Sequence, residues 1–306
     1  MFAVFNAPHT PEGIEIKETD DPEPDDNEAV VRLGASSLNR GETVLLATRP
    51  AGWRPGQDVA GVVDRPAADG SGPDAGERVV GRVEGEGWAE YAAVPTNRLA
   101  VLPDQVALDA AATLPIAGLT ALRVLRLGGN LLGKRVLITG ASGAVGRFQI
   151  QLAVAQGAHV TAVAAIEHAN GLHALGADHV IQSVGDGVGS YDLVSESIGG
   201  TVLADAIANT APGATVVTIG ATSGERTPIW QNDFFGHENI VIRPFMSYAS
   251  ADPDGDDLDT LISLLADGSL DASIGLRVTW RNAHEGLQAL KDRQVHGKVV
   301  FTFGDD

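Results

Sequence analysis

Three glycines set three apart, Gly140, Gly143 and Gly146, are the residues of this chain best placed to do chemistry. They follow the apolar run Val136, Leu137, Ile138, Thr139. They precede a segment in which Val145, Phe148, Leu152 and Ala155 fall at helical spacing, with Gly157 as a stop. A second apolar run, 158–163, comes next, so the order is strand, turn, helix, strand. Such a turn brings backbone N–H groups and a helix N-terminus against a pyrophosphate. A side chain at Gly140 or Gly143 would obstruct the turn or the ligand, and Gly146 would let the helix pack closely on the strand. The expected contacts are therefore Gly140, Ala141, Ser142, Gly143, Ala144, Val145 and Gly146. The spacing is G-x-x-G-x-x-G, not the commoner G-x-G-x-x-G, so the strand–turn–helix setting carries much of the signal. Glycines serving only a tight turn are the plainer alternative. A serine nucleophile elbow at Ser142 would need G-x-S-x-G, and Ala144 stands where its last glycine belongs.

The elements that must hold this turn are legible around it. Residues 1–103 read as β-rich, with short runs such as 29–33, 59–63, 78–81 and 88–94 between Pro, Gly and Asp turns. Residues 108–127 are Ala/Leu-rich and helical in pattern, interrupted at Pro115 and Gly118. Apolar strands then alternate with helices: strands at 136–139, 160–163, 180–181, 191–194, 215–219 and 240–242. That alternation predicts a doubly wound parallel sheet covered on both faces. Beyond Pro244 come amphipathic helices at about 258–266 and 282–291 and a terminal strand at 298–303.

Composition narrows the chemistry. The chain has 306 residues, room for two domains, and no cysteine, which removes thiol nucleophiles, Fe–S clusters and cysteine zinc sites. Its net charge of −19 opposes binding to nucleic acid or an anionic membrane. No single apolar run approaches the ~20 residues of a membrane span, and the N-terminus lacks an export pattern, so a cytoplasmic protein is expected. The acidic run at 252–257 lacks the spacing of a calcium loop. His168, His173 and His179 do not share a helix face, so no metal site is expected.

Several further segments carry a resemblance. They are Ser37-Leu38-Asn39-Arg40-Gly41-Glu42, Pro55-Gly56-Gln57-Asp58-Val59-Ala60-Gly61 and Gly76-Glu77-Arg78-Val79-Val80-Gly81, then Trp88-Ala89-Glu90-Tyr91. Leu114-Pro115-Ile116-Ala117-Gly118-Leu119-Thr120-Ala121, the glycine turn and His296-Gly297-Lys298-Val299-Val300 complete the set. In their order and spacing the chain resembles the medium-chain dehydrogenase/reductase superfamily, in its zinc-independent quinone oxidoreductase-like (zeta-crystallin-like) branch. The resemblance implies an α/β protein: a Rossmann domain at 118–249 and a GroES-like substrate domain at 1–117, completed by 250–306. It also implies a homodimer joined near 240–242. Zinc-binding relatives carry a cysteine and a Gly-His-Glu segment; here Gly56-Gln57-Asp58 stands in that place, so no zinc is expected.

The resemblance adds site residues. Thr120 is placed against a nicotinamide, with a helix-capping role as its alternative. Ile219, Gly220, Ala221, Phe245, Met246 and Ser247 follow strand ends, where ligands sit, and Lys298 is placed on the pyrophosphate. Asn39 and Glu42 match an amide and acid pair lining the substrate cleft, and each could instead cap a turn. The loop after them offers no tyrosine as proton donor; Arg49 or Arg54 could instead attract an acidic or phosphorylated substrate. At the end of the second strand stands Ala164, followed by Ala165. An acid there would hold the ribose 2′-hydroxyl of NAD(H) and repel a 2′-phosphate, so NADP(H) is expected, with NAD(H) left open through Glu167. The expected activity is hydride transfer from NADPH to a quinone or α,β-unsaturated carbonyl, without zinc. A nucleotide-binding relative without turnover is the alternative.

Overall fold

The computed structural model describes residues 1–186, 189–249 and 252–304. The chain forms two compact units, Met1–Leu119 with Ala251–Asp306, and Thr120–Ser250.

The first unit is built on strands. It opens with an antiparallel pair, β1 (Phe2–Asn6) and β2 (Ile14–Glu18), followed by β3 (Glu28–Leu38). Helix α1 (Arg40–Thr48) comes next, where the sequence suggested none; it is short and only weakly amphipathic. Then follow β4 (Asp58–Arg65), β5 (Arg78–Arg82), β6 (Tyr91–Pro95) and β7 (Leu99–Val101). Residues Leu108–Arg126 are helical in three pieces: α2 (Leu108–Ala111), a π-type stretch at Leu114–Gly118, and α3 (Leu119–Arg126). Joined end to end, these 19 residues are long and apolar enough to cross a membrane by length and composition, a property no single run showed in the sequence; the most apolar stretch is 78% buried within the protein.

The second unit contains β8 (Arg135–Thr139), α4 (Ala144–Ala155), β9 (His159–Val163), α5 (Ala169–Ala174) and β10 (His179–Ile181). It continues with β11 (Tyr191–Glu196), α6 (Gly200–Ile207), β12 (Thr210–Thr218) and β13 (Val241–Pro244). All six strands are parallel, in the order β10-β9-β8-β11-β12-β13. The order reverses direction beside β8, the strand that feeds the glycine turn, which is where doubly wound sheets bind dinucleotides. Val136, Leu137 and Ile138 are fully buried, as a strand covered on both faces requires.

The chain then returns to the first unit through α7 (Gly255–Ala266), β14 (Ile274–Thr279), α8 (Ala283–Lys291) and β15 (Lys298–Thr302). There β15 lies between β14 and β3 in the sheet β14-β15-β3-β4-β5-β7. Trp88 packs edge-to-face on Phe301 at 4.9 Å, pinning the returning strand to the core. The units divide at 119/120 and 250/251, beside the expected 117/118 and 249/250, and a Cβ on Gly118 would meet Leu261 of α7 at 3.0 Å within the first unit.

Candidate functional site

In the second unit the glycines divide their work as the turn demands. Gly140 has φ +60, and a Cβ there would come within 2.5 Å of Ser197 Oγ. Gly143 is extended and is the N-cap of α4; a Cβ would meet only the Gly140 carbonyl, at 3.3 Å. Gly146 sits over Ala141, whose Cα a Cβ would approach to 2.6 Å, so only glycine lets α4 start this close to the turn. The Ala141 N–H donates to Val163 O and the Gly143 N–H to Gly140 O. The first helical bond of α4 runs from Arg147 N to Gly143 O at 3.0 Å, leaving the N–H groups of Ala144, Val145 and Gly146 without intrahelical acceptors. Those are the donors a pyrophosphate takes at a helix N-terminus.

Other expected positions gather on the same carboxyl edge of the sheet. Ala164 directly follows β9, its N–H donating to Ile181 O at 3.0 Å. Ile219 follows β12 and donates to Glu196 O at 2.7 Å; Gly220 passes over the Ser197 carbonyl, which a Cβ would meet at 3.0 Å. Phe245 follows β13 and donates to Thr218 O, with Met246 and Ser247 beyond it. Thr120 is buried inside a continuous helical run, in the first turn of α3, so it does not begin a helix and the capping role falls away.

Lys298 is a correction. It belongs to the first unit and is 1% exposed. Its ammonium donates to Asn39 Oδ1 at 2.6 Å, Asp58 Oδ2 at 2.8 Å and, more weakly, Leu38 O. Three acceptors occupy its three protons, leaving none for a pyrophosphate.

Strand register explains this cluster. Val299 pairs with Leu38 across β15 and β3, and Ser37 pairs with Asp58 across β3 and β4. Lys298, Asn39 and Asp58 thus converge at one end of three adjacent strands. Asp58 is fully buried and accepts from Ser37 Oγ, Asn39 Nδ2, Lys298 Nζ and the Ile116 N–H. The last donor comes from the π-type stretch, an irregularity often found at functional sites. Glu42, also fully buried, turns back to accept the Asn39 N–H at 2.7 Å, as in the reciprocal half of a capping box. Burial first, then the neighbouring Asp58, push the Glu42 carboxyl up to about 8, against smaller opposing effects from the Asn39 and Gln57 main chain and Lys298. Its Oε1 has no well-formed hydrogen bond and is the natural seat of the retained proton. Asp58 is the member that inspection of the sequence missed; its place in the Gly56-Gln57-Asp58 segment was the one available signal.

Among the described residues, no group of three or more potential ligands gathers to hold a metal ion. Residues 144–267 match a family described as zinc-binding dehydrogenase. Over 186 residues, 55% of the chain, it is 36% identical to the chloroplast envelope quinone oxidoreductase homolog of Arabidopsis thaliana. The family match, the quinone oxidoreductase relatives and the solved structures of this fold support the resemblance to the medium-chain dehydrogenase/reductase superfamily, in its quinone oxidoreductase-like branch. Matches to that relative and to chloroplast quinone oxidoreductase homologues of two other plants span about half their length, 54–56%. The fold aligns over 99% of the chain with Escherichia coli quinone oxidoreductase complexed with NADPH (TM-score 0.88, 20% identity, all of that chain). It aligns over 99% of the chain, and all of the other, with an NAD-dependent alcohol dehydrogenase (TM-score 0.86, 27% identity).

Proposed function

We propose that this protein is a zinc-independent, NADPH-dependent reductase that passes hydride to a quinone or α,β-unsaturated carbonyl. The reading rests on the turn: three orphan N–H groups beside a glycine whose missing side chain leaves the approach open. Ala164 supports the phosphorylated cofactor, since no acid at that strand end opposes a 2′-phosphate. The missing cysteines and Gln57 support action without zinc.

When bound, the cofactor supplies the hydride. The chain's own contribution is to hold the pyrophosphate on Ala144, Val145 and Gly146, with the carboxyl-edge residues 219–221 and 245–247 beside it. In the first unit, Asn39 is fixed by Asp58 and Lys298 so that its amide keeps one orientation. Glu42 keeps a proton near neutral pH behind it. A homodimer is part of the reading: β13 is an edge strand exposed along its whole length, and the exposed Phe235 lines one surface depression with Ile242.

One observation favours a second reading, nucleotide binding without turnover. Both candidate catalytic side chains are committed to a buried cluster, and Glu42 has no solvent exposure. Parallel NADPH and NADH titrations, followed by turnover assays over quinones and enones, separate the readings. Tighter NADPH binding with oxidation by an acceptor is expected. Binding without oxidation would favour the second reading, and failure to bind either nucleotide would end both.

A further inference from the structure

Beneath the glycine turn lies another buried carboxylate. Glu196 ends β11 and is fully buried. Its Oε1 accepts from Thr139 Oγ1 at 3.1 Å, the Ile198 N–H at 2.7 Å and the Gly199 N–H at 3.1 Å; Oε2 takes the Gly199 N–H at 3.0 Å. Thr139, the last residue of β8, in turn accepts the Ser197 N–H on Oγ1 at 2.9 Å, and its carbonyl accepts Ser197 Oγ at 3.1 Å. Ser197 Oγ is the atom lying where a Cβ of Gly140 would fall. One carboxylate therefore fixes the ends of two neighbouring strands and seats the first glycine of the turn.

We propose that Glu196 is a positioning residue for the phosphate turn, acting through Thr139 and Ser197. This rests on the cofactor reading above. Thr139 immediately precedes Gly140, so the hold on its hydroxyl and carbonyl sets where the turn begins. The network engages both of them. Gly140 is thereby held at positive φ over Ser197, and the turn presents the N–H groups that α4 itself leaves without acceptors. Glu196 cannot touch the ligand, so its effect is on the shape of the turn.

The test uses the full chain and three probes: NADPH, ADP, and 2′-AMP, which has no 5′ phosphate. Thr139→Val keeps the side chain's shape and removes its hydroxyl; Thr139→Ser keeps the hydroxyl. Loss of a hydrogen bond to a charged group corresponds to about tenfold in affinity. Thr139→Val should weaken NADPH and ADP by about that factor and leave 2′-AMP unchanged, while Thr139→Ser restores most of the loss. Glu196→Gln should shift affinity the same way, and the double variant should lose less than the two single losses combined. Unchanged ADP affinity in both single variants, or equal losses for ADP and 2′-AMP, would overturn the proposal. Should Thr139→Val fail to fold, the ratio of ADP to 2′-AMP affinity in Glu196→Gln decides alone. A wild-type protein that binds neither NADPH nor ADP overturns the cofactor reading together with this one. Normal wild-type binding with unaffected variants overturns this one only.

Discussion

Lys298 and Asp58 are 240 positions apart in sequence and 2.8 Å apart in the fold, with side-chain exposures of 1% and 0%. Removing one partner of a buried pair strands the other charge. Lys298→Met is expected to cost roughly 3–5 kcal/mol in denaturant unfolding, and Asp58→Asn added to it should recover part of that loss. NADPH affinity of the folded variant should stay near that of the wild type; a large affinity loss at full stability would restore the pyrophosphate role. Glu42 gives a pH signature. Unfolded, its carboxyl ionises near 4.5; folded, near 8. Between those values the native state holds a proton the unfolded state has released, so this contribution is complete below pH 4.5 and is lost as pH rises to about 8. Glu42→Gln should flatten that fall, as read by urea unfolding at pH 5 and pH 8.5. The family resemblance pointed to Asn39 and Glu42, but their pairing with Asp58 and Lys298 joins distant strands, and no local pattern encodes strand register. Glu196 was hidden for the same reason.

Elements whose apolar run matches their burial were the most legible. β8, β9 and β11 are buried on both faces, and their short apolar runs, unbroken at 136–138 in β8 and spaced among Thr, Ala and polar residues in β9 and β11, announce it. The glycine turn was legible because backbone geometry at Gly140 and steric contact at Gly146 both demand glycine. Helix α1 was not. Its sequence, RGETVLLAT, lacks a clear apolar stripe, and among its described residues only Glu42 is buried, so its amphipathic signal is weak. β13 invites a test at this scale. Its residues Val241 and Ile242 are 41% and 40% exposed on an unpaired sheet edge. On the proposed homodimer, Ile242→Asp should give a monomer in light scattering after size exclusion; an unchanged mass would remove this edge from the interface.

Across the whole molecule, charge is divided unevenly. Thr120–Ser250 carries seven Lys and Arg against nine Asp and Glu; the rest of the chain carries 14 against 31. Self-repulsion on that scale weakens a compact state, and salt relieves it as the Debye length falls from about 10 Å at 0.1 M to about 3 Å at 1 M. Raising NaCl over that range should increase the melting temperature by roughly 5 °C or more. The gain should come mainly from the first unit, and a fall in melting temperature would contradict the argument.

The place of β15 has a consequence for how the chain is made. It lies between β14 and β3, and its first residue supplies the counter-charge of Asp58. As the polypeptide leaves the ribosome, every strand of the parallel sheet is out before residue 298 appears. The inserted unit can therefore fold first, whereas the unit that began the chain must wait with an interior strand missing and a carboxylate unneutralised. Arrested nascent chains ending near residue 290 should show a protease-resistant middle flanked by cleavable ends.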